Sequence, residues 1–175
     1  MQLSFSHKKA IQALNFFARA AGGKINKMKA LKLIYFADRC HLRRYGRPVT
    51  NDTYFAMKYG PVASACRDLL SENEESANST ESNYAGQFIA INGGYDYSST
   101  AEIDTKTLSE TDLAALQFAW DNYHQQDQFS LADETHLFPE WAKHQAAIES
   151  GETTRRNMPY GDFLMNPPKG IDPLP

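Results

Sequence analysis

The chain has 175 residues, of which 42% are hydrophobic and 22% charged, and its formal net charge is -3. That length suits one domain with a real core, and the composition is that of a folded globular protein rather than a disordered one. No stretch approaches the ~18 consecutive apolar residues of a membrane span, Met1 to Lys9 lacks a basic-then-apolar leader, and Cys40 and Cys66 are too few for a disulfide framework or a four-cysteine zinc site. These features argue against membrane, secreted and zinc-finger classes, and the expected location is the cytoplasm.

The small net charge conceals a strong asymmetry. Residues 1–67 hold 13 Lys and Arg against two acids, Asp38 and Asp52, a charge of +11. Residues 68–175 hold five basic residues against 19 acids, a charge of -14. Either the acidic half folds back on the basic half and neutralises it, or a basic face remains for an acidic partner or a nucleic acid. For a single domain the first reading, or a mixture of the two, is preferred.

In chain order, the spacing of Ala10, Ile11, Leu14, Phe17 and Ala18 predicts a helix over residues 7–21, ended by Gly22-Gly23. A longer helix is predicted over 27–45, with Ala30, Leu31, Ile34, Ala37, Asp38 and His41 on one side. Lys29, Lys32, Phe36, Arg39 and Arg43 form a second stripe, read as a solvated basic face. Gly46 and Pro48 stop this helix. Thr53 to Tyr59 predicts a short strand, and Gly60-Pro61 is expected to open a third helix over 61–71, with proline in its first turn.

Residues 72–86 are polar and acidic and are expected to form a mobile loop; the sequon Asn78-Ser79-Thr80 inside it is read as chance. Short antiparallel strands are predicted around 88–91, 95–97 and 101–104. Ser109 to Asp112 is a capping box that starts a helix running to about Gln125. A second such box, Ser130 to Asp133, is expected to open a short helix through His136. A last helix is predicted over 139–149, starting at Pro139. Residues 150–175 hold five of the eight prolines, so no helix is expected there, and the segment either drapes over the body or stays mobile. The expected architecture is α+β and predominantly helical: a single compact domain of about six helices with one small antiparallel sheet.

No residue set makes a convincing active site. Asp38 and His41, three apart on one helix, are close enough to meet, and such a pair could orient a general base. No nucleophile accompanies them, and a buried pair that fixes packing is the preferred reading. The five histidines show no ligand spacing for a metal. Gly60-Pro61 lacks the glycine pattern of a phosphate loop and reads as a tight turn. The basic stripe with Phe36 would suit nucleic acid, although a solvated or docking face is preferred. Trp141 reads as core. The residues alone point to a binding module rather than an enzyme, with no catalytic residue, cofactor or metal expected.

Several stretches in order resemble a known family. They are Leu31 to Asp38, His41, Tyr45-Gly46-Arg47-Pro48-Val49 with Asp52, Tyr54 to Val62, Leu108-Ser109-Glu110, Ser130-Leu131, Thr135-His136 and Trp141. The series resembles the Panacea, or SocA-type, antitoxin domain found in bacterial and phage-borne toxin–antitoxin pairs. It spans roughly residues 7–148, so the division expected is a Panacea-like domain over 7–149 and a proline-rich tail over 150–175. The resemblance implies a mainly helical domain that neutralises a cognate protein toxin, encoded next door, by direct binding. One branch delivers its toxin to a protease, and nothing in this sequence assigns the chain to it. The family has no catalytic residues to carry over. Its recurring positions, here Asp38, His41, Gly46, Pro48, Gly60 and Pro61, read as fold determinants, with His136 and Trp141 beside them. For the partner surface the expected residues are Tyr54, Lys58, Tyr59 and Arg67, taken as exposed aromatic and cationic anchors. The runner-up is a nucleic-acid-binding regulator using helix 27–45.

Overall fold

A computed structural model describes residues 4–71 and 79–174. The fold is α+β and half helical, as expected, with α1 (His7–Ala20), α2 (Lys27–Tyr45), α3 (Ser64–Leu69), α4 (Ser79–Gly86), α5 (Glu110–Tyr123), α6 (Gln128–Thr135), α7 (Pro139–Ala142) and α8 (Gln145–Glu149). Instead of one sheet the described residues form two, each of three antiparallel strands. The first joins β1 (Lys24–Asn26), β5 (Asp96–Ser99) and β4 (Ile89–Ala90), with β5 in the middle. The second joins β3 (Gly60–Ala63), β2 (Tyr54–Met57) and β6 (Arg156–Met158), with β2 in the middle.

Helix α2 is the axis of the fold. Asn26 caps its start by accepting from the Lys29 N–H, and Gly46 ends it in the left-handed conformation at φ 78°. Every residue from Ala30 to Leu42 is buried. Helices α1, α5 and α6, strands β1 and β3, and a 3-10 turn at Tyr160–Leu164 all pack around it. The stripe read as a solvated basic face is therefore interior. Lys32 and Arg39 are buried, Lys29 donates to the His124 carbonyl at 2.5 Å, and Arg43 donates to the Phe163 carbonyl at 3.1 Å. The polar spacing was real, but each head group has a partner from elsewhere in the chain, which periodicity cannot show.

Other elements differ locally from expectation. Residues 60–63 form strand β3, not the start of a helix. Met57 pairs with Gly60 across the two-residue turn Lys58-Tyr59; neither turn residue has a positive φ, and Gly60, directly after them, takes it at 103°. Pro61 is tolerated because β3 is an edge strand. Of the loop expected over 72–86, residues 79–86 form α4, and 72–78, with Asn78 of the sequon, lie outside the described residues. Residues 101–104 are not a strand. Their backbone is satisfied by side chains of α1 instead: Asn15 and Arg19 donate to the Ala101 carbonyl, and Gln12 accepts from the Asp104 N–H. Helix α6 starts earlier than Ser130, because the Asp127 carboxylate caps the N–H groups of Phe129 and Ser130. The helix expected over 139–149 breaks at Lys143-His144 into α7 and α8, which with α4 raises the count among the described residues from six to eight.

The proline-rich segment drapes over the body. Strand β6 extends the hairpin sheet, Tyr160 donates to the Asp52 carbonyl at 2.5 Å, and Phe163 is fully buried. Asp172 meets Arg39 and Arg43. Together with Lys9 and Arg47 on Asp112, and Arg39 on Glu140, these contacts show the acidic half folded back on the basic half.

Gly60 also carries a steric constraint. A Cβ placed there would lie 2.3 Å from Thr135 Oγ1 and 3.3 Å from Lys32 Nζ. Gly60→Ala is expected to cost about 3 kcal/mol from clash and backbone strain together. Adding Thr135→Ala should recover the clash part only. Urea denaturation checks this, and a single variant as stable as the parent contradicts the reading.

Candidate protein-binding groove

An open groove of about 1030 Å³ lies where the first turns of α2 meet the β2–β3 hairpin and α6 to α8. Met28 and Leu31 of α2 form one wall, and Val62 and the Tyr59 ring another. His136 and Trp141 close the inner end, stacked at 3.7 Å and 13°. The Trp141 indole N–H donates to the Met57 carbonyl at 2.9 Å, which ties α7 to the hairpin. Two of the most exposed large side chains, Tyr59 at 53% and Tyr95 at 85%, stand at the rim. Apolar walls beneath exposed tyrosines are the composition of a recognition surface.

Of the four expected partner-binding residues, the structure brings Lys58, Tyr59 and Arg67 to this groove. Tyr54 does not belong with them. It is 1% exposed, and its hydroxyl donates to Asp38 Oδ2 at 2.7 Å. The alternation of β2 turns Tyr54 and Ala56 inward, so aromatic content alone misplaced it. The readings of the sequence missed Met28, Leu31, Val62 and Tyr95 as groove residues. In sequence, an apolar side chain carries no mark of whether it faces a core or a cleft.

Asp38 and His41 do not meet as a pair; each is buried with its own partners. Asp38 accepts from the Val49 and Thr50 N–H groups at 2.8 and 2.9 Å and from the hydroxyls of Thr50 and Tyr54 at 2.6 and 2.7 Å. Burial pushes its carboxyl up to about 6, against the pull of those hydrogen bonds. His41 Nδ1 lies 2.6 Å from the Arg47 carbonyl and Nε2 lies 2.9 Å from Thr111 Oγ1. Burial holds this imidazole below its ordinary value. With all polar contacts spent inside the fold, the observation that motivated a catalytic pair is gone. Gly46 and Pro48 sit in the connection that brings Val49 and Thr50 back to Asp38. Among the described residues no group of three His, Cys, Asp or Glu is placed to hold a metal ion, and no helix is long and apolar enough to cross a membrane.

The family model for the antitoxin SocA-like, Panacea domain matches residues 31–142, well over half of the chain. The chain belongs to the Panacea family. The matched stretch holds most of α2, the hairpin and α7, and with them Lys32, Tyr59, Arg67, His136 and Trp141 of the groove. The start of α2, and the segment beyond Trp141 that completes the groove and covers Arg39, lie outside it. No curated protein and no solved structure matches this Panacea protein.

Proposed function

We propose that this Panacea protein is a cytoplasmic antitoxin that neutralises a protein toxin by direct contact through the groove. The observation that carries the reading is the groove itself: apolar walls under exposed Tyr59 and Tyr95 on a chain of an antitoxin-like family. Tyrosine and arginine are among the residue types that dominate binding energy where a partner covers and desolvates them. The stripe of helix 27–45 favours no nucleic-acid reading, because its cations are buried or engaged.

Co-expression with the product of the adjacent open reading frame tests the proposal. That product alone should stop growth, and this chain should restore it. Tyr59→Ala with Arg67→Glu should weaken toxin binding by about 3 kcal/mol, roughly a hundredfold, and abolish rescue while the protein stays folded. A neighbour without toxicity, or full rescue by the double variant, refutes the assignment of role or of surface respectively. Toxin abundance on an immunoblot during rescue separates holding from delivery to a protease.

A further inference from the structure

The groove contains one group that its apolar walls do not explain. Lys32 contributes to its lining, yet the residue is only 2% exposed. Its ammonium donates to the Pro61 carbonyl at 2.8 Å. No carboxylate lies within ion-pairing distance of it among the described residues, whereas Arg39, about two turns further along α2, is paired with Glu140 and Asp172. An ammonium has three donors, and a buried charge without a counter-charge is costly. The amine lies beneath the hairpin turn, 3.3 Å from where a Gly60 Cβ would stand.

The wider charge pattern agrees. Lys27, Lys58 and Arg67 stand around the same groove, against two acids, Asp133 and Glu149. Among the described residues the one carboxylate Arg67 reaches is that of its neighbour Asp68, at 4.0 Å, beside a contact to the Met57 sulfur, and Lys27 and Lys58 form no ion pair. The groove is thus cationic by two and apolar in its walls, with its least exposed cation unpaired.

We infer that the occupant of the groove is a toxin segment carrying a glutamate or aspartate side chain between apolar residues, and that its carboxylate pairs with Lys32. The apolar neighbours cover Met28, Leu31 and Val62, and the rim cations steer the acidic segment in. The inference rests on the groove as partner surface and adds the chemistry of the partner. It also predicts a pH response. Burial lowers the free Lys32 amine to about 7, and pairing with a carboxylate raises it again. Binding then takes up a proton above pH 7, so affinity is flat below that value and falls as pH rises beyond it. The other ionisable groups around Lys32 are Asp133 and His136 of α6, Lys27 of α2 itself, Lys58 and Tyr59 of the hairpin turn, Arg67 of α3 and Glu149 of α8; β3 brings none. Burial lowers the His136 imidazole, and because the acidic peptide and its amide meet the same His136, its titration cancels when the two are compared.

A displayed library of random twelve-residue peptides, selected on the full chain and eluted by competition, tests the inference without any toxin. Selected peptides should share an acidic residue flanked by aliphatic or aromatic ones. Changing that residue to its amide in the best synthetic peptide should weaken binding at pH 6.5 about thirtyfold, in the range of a charge-assisted contact. The acidic peptide should lose affinity up to about tenfold per pH unit above 7, one linked proton, and the amide peptide should not. Lys32→Met should abolish the difference between the two peptides. A purely structural Lys32 would instead weaken both alike. Since the acid-to-amide comparison and the pH profile use the unaltered chain, a Lys32→Met variant that fails to fold leaves both decisive. Peptides without a shared acidic residue, no recovered binder, or an amide peptide that binds equally overturns the inference. If neutralisation of the neighbouring toxin depends on Tyr59 while the amide peptide binds equally, the carboxylate reading falls and the antitoxin reading stands. If the carboxylate dependence holds but no neighbour is toxic, the reverse is true.

Discussion

Replacing Asp38 by alanine should destabilise the protein by about 4 kcal/mol, at the upper end of single substitutions. Among the described residues the carboxylate is the only acceptor given to four buried donors, two of them backbone N–H groups of the returning Val49-Thr50 segment and two hydroxyls, from Thr50 and Tyr54. Removal leaves all four without a partner in a dry interior, and each then carries its desolvation cost. Asp38→Asn should cost less, about 2 kcal/mol, because the amide oxygen still serves the two N–H groups while its NH2 faces hydroxyls that can rotate to accept. Urea denaturation checks both through the midpoint at unchanged slope. An Asp38→Ala variant within 1 kcal/mol of the parent would mean that water reaches this site. The same experiment bears on catalysis, since a carboxylate with this many structural duties is poorly suited to exchange protons with a substrate.

The second large effect concerns residues 155–174. Phe163→Ala should cost about 3–5 kcal/mol, the range for emptying a buried aromatic site. Its ring contacts Tyr35 at 5.7 Å and Tyr54 at 5.3 Å between centroids, edge to face, at the centre of the aromatic core. Leu164 beside it is 55% exposed, and Leu164→Ala should lie within about 0.5 kcal/mol of the parent. Ending the chain after Thr154 should be worse than Phe163→Ala. It removes β6 from the sheet, uncovers Tyr54, and takes Asp172 from Arg39 and Arg43, leaving Arg39 to Glu140 alone. Loss of a cooperative thermal transition is the expected result. A shortened chain that melts at the parental temperature would show that this segment is an ornament rather than part of the core.

The sequence alone was sufficient for the helices with strong local signals. α1 and α2 emerged from apolar spacing and a glycine stop, and α5 from apolar spacing and a capping-box start, because helix boundaries are set by groups within one turn of each other. The family was also legible, since its signature is a conjunction of short motifs in order, and so was the folding of an acidic half onto a basic one. Short elements were less so. Whether Gly60-Pro61 opens a helix or turns a hairpin depends on β2 and β6 lying alongside, and whether 101–104 pairs as a strand depends on Gln12, Asn15 and Arg19 arriving first. Such segments have weak local preference, so distant contacts decide.

The groove belongs to that second class. Lys58, Tyr59 and Arg67 were identified from residue type, but Tyr54 was placed with them and Lys32 was placed on a solvated stripe. A lysine spaced for the surface reads the same in sequence whether it meets water or an interior. Burial and partnership are properties of the whole packing around α2, and only the tertiary structure assigns them. It paired Arg39 with Glu140 and Asp172 across more than 100 residues, and left Lys32 with a single carbonyl beside an open groove. The chain by itself determined its class, its principal helices and its family. Where its cations face, and which of them waits for a counter-charge, was decided by long-range packing, because a charge's environment is set by every element that closes around it.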